Sequence, residues 1–135
     1  MKDYTIEVRV RYTECDPMRV VHHSRYLVYF EMARVELFRA NGGDFNALEK
    51  SGFFFVVVRL DCHYIKPAFY DDVLQVSVSV DKVSKAKVVH HYEIRRDGEL
   101  LTEANVTLAL INSEGTVVMI PDEIIEGIIG KEALK

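Results

Sequence analysis

Between Ser24 and Asn41 the chain carries neither glycine nor proline, and apolar side chains recur there at helical spacing. At about 100° per residue, Tyr26, Phe30, Ala33, Leu37 and Ala40 fall on one continuous stripe. Leu27 and Phe38 widen it, and Val28, Met32 and Val35 carry apolar character round the back, so only Arg25, Glu36 and Arg39 form a narrow polar face. Ser24 supplies a side-chain oxygen for the first free amides and is the N-cap candidate. Ala40-Asn41-Gly42-Gly43 is an equally plain stop, since these residues tolerate left-handed backbone just past a last turn. A helix apolar over most of its circumference has to be enclosed by other structure. Whatever else the chain does, it must wrap this helix.

The remaining residues read as the wrapper. Residues 4–12 alternate, with Tyr4, Ile6, Val8, Val10 and Tyr12 on one face and Thr5, Glu7, Arg9 and Arg11 on the other. Residues 44–52 look irregular, with a short helical turn. Residues 53–66 form a long strand whose Val58, Leu60, Cys62 and Tyr64 share a face, and Pro67 ends it or marks a bulge. After the Asp71-Asp72 turn, Leu74, Val76, Val78 and Val80 alternate with Gln75, Ser77 and Ser79. A polar turn at 82–87 leads into strands at 88–96 and 99–111, which flank Asp97-Gly98, a strong hairpin signal. Residues 116–120 add a short extended piece, and Pro121 opens a terminal helix through Ile129. The expectation is a single α+β domain over residues 1–135: one strand, the long helix, then an antiparallel meander of about four strands, giving a curved sheet of about five around a central helix. Exposed sheet edges invite pairing with a second copy, so at least a dimer is expected.

Charge and composition narrow the function. At 135 residues with 49% hydrophobic content, the chain has room for a real core. Net charge is −4 with no basic tail or stripe, which argues against non-specific nucleic-acid binding. The longest apolar run, residues 53–58, is far short of the roughly 20 residues that span a bilayer, and the N-terminus alternates like a strand rather than a signal segment. Cys15 and Cys62 form no CxxC pair, and reduced thiols in a cytoplasmic protein are the economical reading.

Chemistry concentrates before the helix. Glu14, Cys15, Asp16, His22 and His23 lie within ten residues, and Pro17 pushes Asp16 away from helical backbone. A helix start carries unpaired amides and a partial positive charge, which stabilise a carbonyl oxygen gaining negative charge. A carboxylate beside it can serve as nucleophile or as general base toward water. Asp16 next to the His23-Ser24 helix start is therefore a coherent acyl-transfer arrangement; the competing role for Asp16 is to shape a turn. His22, His23, His63, His90 and His91 show no metal-ligand spacing. Neighbouring carboxylates should raise the Cys15 thiol pKa, making it filler rather than nucleophile. Glu31 and Arg34 interrupt the helix at i,i+3 spacing, either as an ion pair or with Glu31 as a second catalytic carboxylate. Arg59, Lys66, Lys82, Lys85 and Lys87 are the candidate basic cluster for a phosphate-bearing ligand.

The run Cys15-Asp16-Pro17…Val20-Val21-His22-His23-Ser24-Arg25-Tyr26-Leu27…Tyr29-Phe30-Glu31-Met32-Ala33-Arg34 resembles the hotdog-fold thioesterases of the 4-hydroxybenzoyl-CoA thioesterase type, and looks closest to the YbgC-like acyl-CoA thioesterases. Tyr64-Ile65-Lys66-Pro67-Ala68 and Asp71-Asp72-x-Leu74 extend the resemblance, which spans about residues 4–121. It implies a long helix wrapped by an antiparallel sheet, dimers or tetramers with sites at the subunit interface, an acyl-CoA substrate, and no metal or other cofactor. It further implies Asp16 as the catalytic carboxylate, as nucleophile or general base, and places the His23 amide at the thioester carbonyl. The loop departs from the family pattern at Arg19 and Arg25, where Gly and Asn are usual, putting positive charge at the mouth of the site. Arg19, Tyr26, Arg59, Lys66, Lys85 and Lys87 are then the candidate substrate-binding residues. Two other activities share this fold: a hydratase or dehydratase acting on acyl thioesters, and a non-catalytic acyl-CoA or protein-binding module.

Overall fold

The computed structural model describes residues 3–130. Strand β1 (Tyr4–Arg9) alternates as expected, with Val8 buried and its neighbours Glu7 and Arg9 exposed. It stops short of Tyr12, which lies in a 3-10 turn (Tyr12–Glu14) and is 69% exposed, against the expectation of a buried strand position. The Glu14 carboxylate takes the Arg11 amide at 2.8 Å, and the Cys15 amide bonds the Tyr12 carbonyl, which bends the chain before Tyr12 can pair.

Helix α1 (Tyr26–Ala40) follows a second 3-10 turn (His23–Arg25). Its end is the one the sequence announces: Gly42 takes φ +90°, and the Asn41 amide bonds the Leu37 carbonyl. Its start is not. His22, not Ser24, supplies the capping acceptor: its imidazole takes the Ser24 amide at 3.2 Å as the chain enters through the 3-10 turn that begins at His23. The buried face of α1 is Tyr26, Tyr29, Phe30, Ala33, Leu37 and Phe38. Ala40, expected in the stripe, is exposed, and so are Leu27, Val28 and Met32 at 38–44%. One sheet layer covers only one side of a helix, so within one chain the enclosure is half complete.

The sheet collects β2 (Phe53–Tyr64), β3 (Val73–Val83), β4 (Val88–Arg96), β5 (Glu99–Asn112) and the two-residue β6 (Val117–Val118) together with β1. All pairings are antiparallel and the order is β1-β3-β4-β5-β2, with β6 on β5. This is the expected α+β layout, with six strands instead of about five. The expected four-strand meander is corrected: only β3-β4-β5 is one. The long strand β2 leaves its sequence neighbour β3 and pairs the far side of β5 from Phe53↔Asn112 to Tyr64↔Thr102. β5 runs two residues longer than β2 and meets its whole length, whereas β3 is already flanked by β1 and β4. Asp97 and Gly98 take φ +51° and +83°, the two left-handed positions of a hairpin turn matched to strand twist.

On β3, Leu74, Val76, Val78 and Val80 all point into the core, as their alternation required. Phe30 of α1 lies against Tyr92 of β4 at 4.6 Å between ring centres, and Phe38 meets Phe45 of α2 (Phe45–Lys50) at 4.8 Å. Helix α3 (Asp122–Ile129) closes the C-terminal end of α1, where Asn41 donates to the Ile128 carbonyl at 2.8 Å. Gly127 permits that approach: a Cβ there would stand 2.6 Å from the Phe38 ring. Among the described residues no helix is long and apolar enough to cross a membrane.

Candidate active site

Because β2 ends at one edge and β3 begins near the other, residues 65–72 must run across the end of the sheet. This strap carries the fully buried Ala68, whose carbonyl accepts the Val21 amide at 2.9 Å. Residues 15–21 form a narrow hairpin against it, through isolated bridges Cys15↔Val21 and Val20↔Phe69. At its tip the Arg19 amide bonds the Asp16 carbonyl, and Arg19 itself is left-handed at φ +67°. The Asp16 carboxylate takes the Met18 amide on Oδ1 at 2.8 Å. Asp16 thus shapes the turn, as an Asp before Pro-x-x is apt to do, and it also lines a cleft.

That cleft, of about 340 Å³, is bounded by Asp16, His23, Tyr26, Tyr64, Lys66 and Pro67. It brings together residues from the hairpin, the helix head, the end of β2 and the strap. The two adjacent histidines part company here. His22 caps the turn, with Nδ1 facing the Ser24 amide and hydroxyl, while the exposed His23 faces the cleft with its ring 4.1 Å from that of His22. The His23 amide opens the turn that leads into α1, a position without an intrahelical acceptor.

Behind the cleft sits a buried network. Glu14, 6% exposed, accepts from the Arg11 amide, the Arg11 guanidinium and, at 2.8 Å, the Tyr29 hydroxyl. Burial by itself would raise the Glu14 pKa; the Arg11 amide, the Tyr29 hydroxyl and the Arg11 charge outweigh it and hold the group below the ordinary carboxylate value. Cys15, half-buried beside it, is pushed the other way, first by burial and then by the charges of Glu14 and Asp16. This is the direction read from sequence.

The remaining predicted residues divide sharply. Tyr26 forms the cleft floor at 3% exposure, its hydroxyl accepting from the Ala68 amide at 3.3 Å. Lys66 stands at the rim, paired with Glu99 at 2.6 Å. Arg19 lies outside the cleft, its guanidinium 5.1 Å above the Tyr70 ring. Arg59 is exposed on the edge strand, facing away from the helix in register with Thr107. Lys85 and Lys87 sit in the turn that follows the eleven residues of β3, and so at the opposite end of the sheet from Asp16. Within one chain the expected basic cluster is therefore not assembled. Nor do Glu31 and Arg34 pair: Arg34 donates to the Tyr92 hydroxyl at 3.1 Å, and Glu31 lies exposed beside Val28 and Met32. The helix aims Arg34 inward toward β4 and Glu31 outward, so the two side chains diverge.

Tyr64 has a place at the site that its position in the sequence does not announce. Its hydroxyl donates to the His23 carbonyl at 2.9 Å, and its ring meets Tyr26 edge-on at 5.2 Å. Only the crossing strap brings these residues together, so spacing alone carried no signal. The histidines also yield one group that spacing hid: His91 lies with Glu93 and Glu103 on the outer face of the sheet.

The thioesterase-like superfamily profile matches residues 10–128. A "putative esterase" of Aquifex aeolicus is 33% identical over 118 residues, covering 87% of this chain and 91% of the relative. The acyl-CoA thioesterase YbgC of Haemophilus influenzae is 34% identical over 110 residues, covering 81% of each. Among solved structures, a DHNA-CoA thioesterase from Staphylococcus aureus superposes with a TM-score of 0.88 at 30% identity, covering 93% of this chain and 89% of that one.

Proposed function

The chain belongs to the thioesterase-like superfamily, and on that premise we propose that it is an acyl-CoA thioesterase, hydrolysing an acyl-CoA to a free acid and CoA. One observation carries this reading: Asp16 and His23, at the head of the helix, line the same cleft. A thioester carbonyl placed there meets the His23 amide, where the helix start favours negative charge. Asp16 then either attacks the carbonyl carbon, forming an acyl anhydride that water opens, or removes a proton from the attacking water. In both routes the tetrahedral oxyanion collapses, the C–S bond breaks and the CoA sulfur leaves as thiolate. His23 orients water or substrate by its imidazole. Lys66 at the rim and Arg19 on the hairpin add positive charge for the CoA phosphates or an anionic acyl group.

The long edge of β2 is the second element of the proposal. Among the described residues it pairs only with β5, and it exposes Val57 (55%), Val58 (58%) and Leu60 (40%). Exposed edges of this length are normally covered, and we assign that role to β2 of a second copy, in a dimer or a dimer of dimers. Basic residues remote from Asp16 within one chain, Arg59, Lys85 and Lys87, would then act across the interface. Cys15 and Cys62 are free thiols, which suits the cytoplasm.

The test is thiol release from a panel of short, long and aromatic acyl-CoAs, with Asp16→Asn alongside. Turnover that falls by about a thousandfold or more in the variant supports the assignment. An Asp16→Asn enzyme that keeps full turnover removes Asp16 from the chemistry.

A further inference from the structure

The outer face of the sheet holds a group of side chains that the cleft does not use. His91 and Glu93 stand two residues apart on β4 and so point the same way, and Glu103 of β5 is directly opposite Glu93. Nitrogen and oxygen atoms of the three lie within 4.8 Å of one another, all half-buried. Two carboxylates directly opposite on a sheet repel. Glu93 has Arg95 at 2.7 Å, but Glu103 has no cation at ion-pair distance among the described residues.

The hydrogen bonds around the group prepare it for a cation. His91 Nδ1 is 3.1 Å from Asn105 Oδ1, and with Nδ1 as the donor in that contact Nε2 is left to offer its lone pair to an ion. Nε2 lies 3.4 Å from Glu93 Oε2, so an ion bound between them would take the place of the proton that otherwise bridges the two. Arg95 meanwhile holds the other oxygen, Oε1. His91 and Glu93 are thus each held from behind, by Asn105 and Arg95, the arrangement that orients metal ligands. Bonds of roughly 2.0–2.1 Å in a tetrahedral centre put neighbouring ligand atoms about 3.4 Å apart, the separation found between Nε2 and Oε2.

We propose that His91, Glu93 and Glu103 form a divalent-metal site on the outer sheet face, with water completing the coordination. The mixed imidazole and carboxylate donors select a borderline transition ion of the zinc type over magnesium or calcium, which prefer oxygen alone. The ion clamps β4 to β5 and neutralises the opposed carboxylates. It stands on the face opposite α1, so this site is separate from the acyl-thioester chemistry proposed for the cleft.

The experiment uses untagged, chelator-treated full-length protein titrated with Zn²⁺ or Co²⁺, read by calorimetry, by the Co²⁺ visible spectrum and by the melting temperature. The expected result is saturable binding of one ion per chain, a Co²⁺ spectrum of low coordination number, and a rise in melting temperature of several degrees. His91→Gln and Glu103→Gln, both at half-exposed positions, should each weaken binding at least tenfold while preserving the circular dichroism spectrum. Asp16→Asn should bind as the wild type does, so failure of the thioesterase assignment leaves this test intact. Absence of saturable binding at 0.1 mM metal, or binding that survives both substitutions, overturns the proposal.

Discussion

The Tyr64 hydroxyl donates to the His23 carbonyl oxygen at 2.9 Å, tying the end of the edge strand β2 to the turn that heads α1. Burial pushes the Tyr64 phenol up to about 12, with the neighbouring Cys62 thiol adding to the effect, so the group remains a donor at any working pH. A neutral hydrogen bond of this kind is worth about 0.5–1.5 kcal/mol. Tyr64→Phe should therefore lower turnover about three- to tenfold while KM moves little, because the bond anchors the backbone at the head of the helix rather than binding substrate. A variant with unchanged kcat would show that the helix head needs no such tether.

Glu14 makes the hairpin acid-sensitive. Its pKa is held below the unfolded value near 4.5, so the stabilisation is complete above that value and is lost as pH falls through the folded one. Glu14→Gln cannot accept from Arg11 as a carboxylate does and leaves the Tyr29 hydroxyl with a weaker partner. We expect a loss of about 1–3 kcal/mol at pH 7, smaller in acid as pH falls through the lowered pKa of Glu14. Urea unfolding at neutral and at acid pH measures it, and an equal loss at both would contradict the linkage.

His90 acts over a higher window. It is 3% exposed, its Nδ1 has no partner among the described residues, and burial, followed by the nearby Arg34 charge, pushes its pKa down to about 3. The unfolded chain takes up a proton near pH 6.5 that the folded chain refuses, so stability falls as pH drops from about 6.5 toward 3. The total is on the order of a few kcal/mol. His90→Phe removes both the titration and the orphaned nitrogen. It should flatten the stability profile between pH 6.5 and 4, and a profile parallel to the wild type would assign the acid loss to other groups.

The β2 edge gives an assembly test. Val58 sits at the irregularity between Val57 and Arg59, where the register with β5 shifts, and is 58% exposed. Val58→Asp adds a charge that must be desolvated if this edge is covered by a second copy. Sedimentation should report a multimer for the wild type and a monomer for the variant. An unchanged oligomer would move the interface elsewhere, with the exposed Val28 and Met32 of α1 as the next face to substitute.

Much of the architecture was legible because it is written locally. Helix α1 ends at Ala40 because Asn41 and Gly42 accept the backbone that follows, and β3 alternates because every second residue is an aliphatic one. Asp97-Gly98 makes its hairpin through two left-handed residues in a row. Asp16 and His23 were legible as neighbours of a helix start, and they do share a cleft.

What the sequence could not reveal was set between distant residues. Strand β2 passes over its neighbour β3 for β5, and that crossing creates the strap that brings Tyr64 to His23. Whether His22 or Ser24 caps the turn depended on the angle at which the hairpin delivers the chain. Lys85 and Lys87 read as part of one basic cluster with Arg59 and Lys66, yet a whole strand separates them from the cleft. His91, Glu93 and Glu103 carry no recognisable spacing until β4 and β5 pair. Periodicity, caps and turns depend on residues a few positions apart and so are determined by sequence alone. Strand order, and with it which side chains meet across the fold, follows from competing long-range pairings and burial, and only the tertiary structure decides among those.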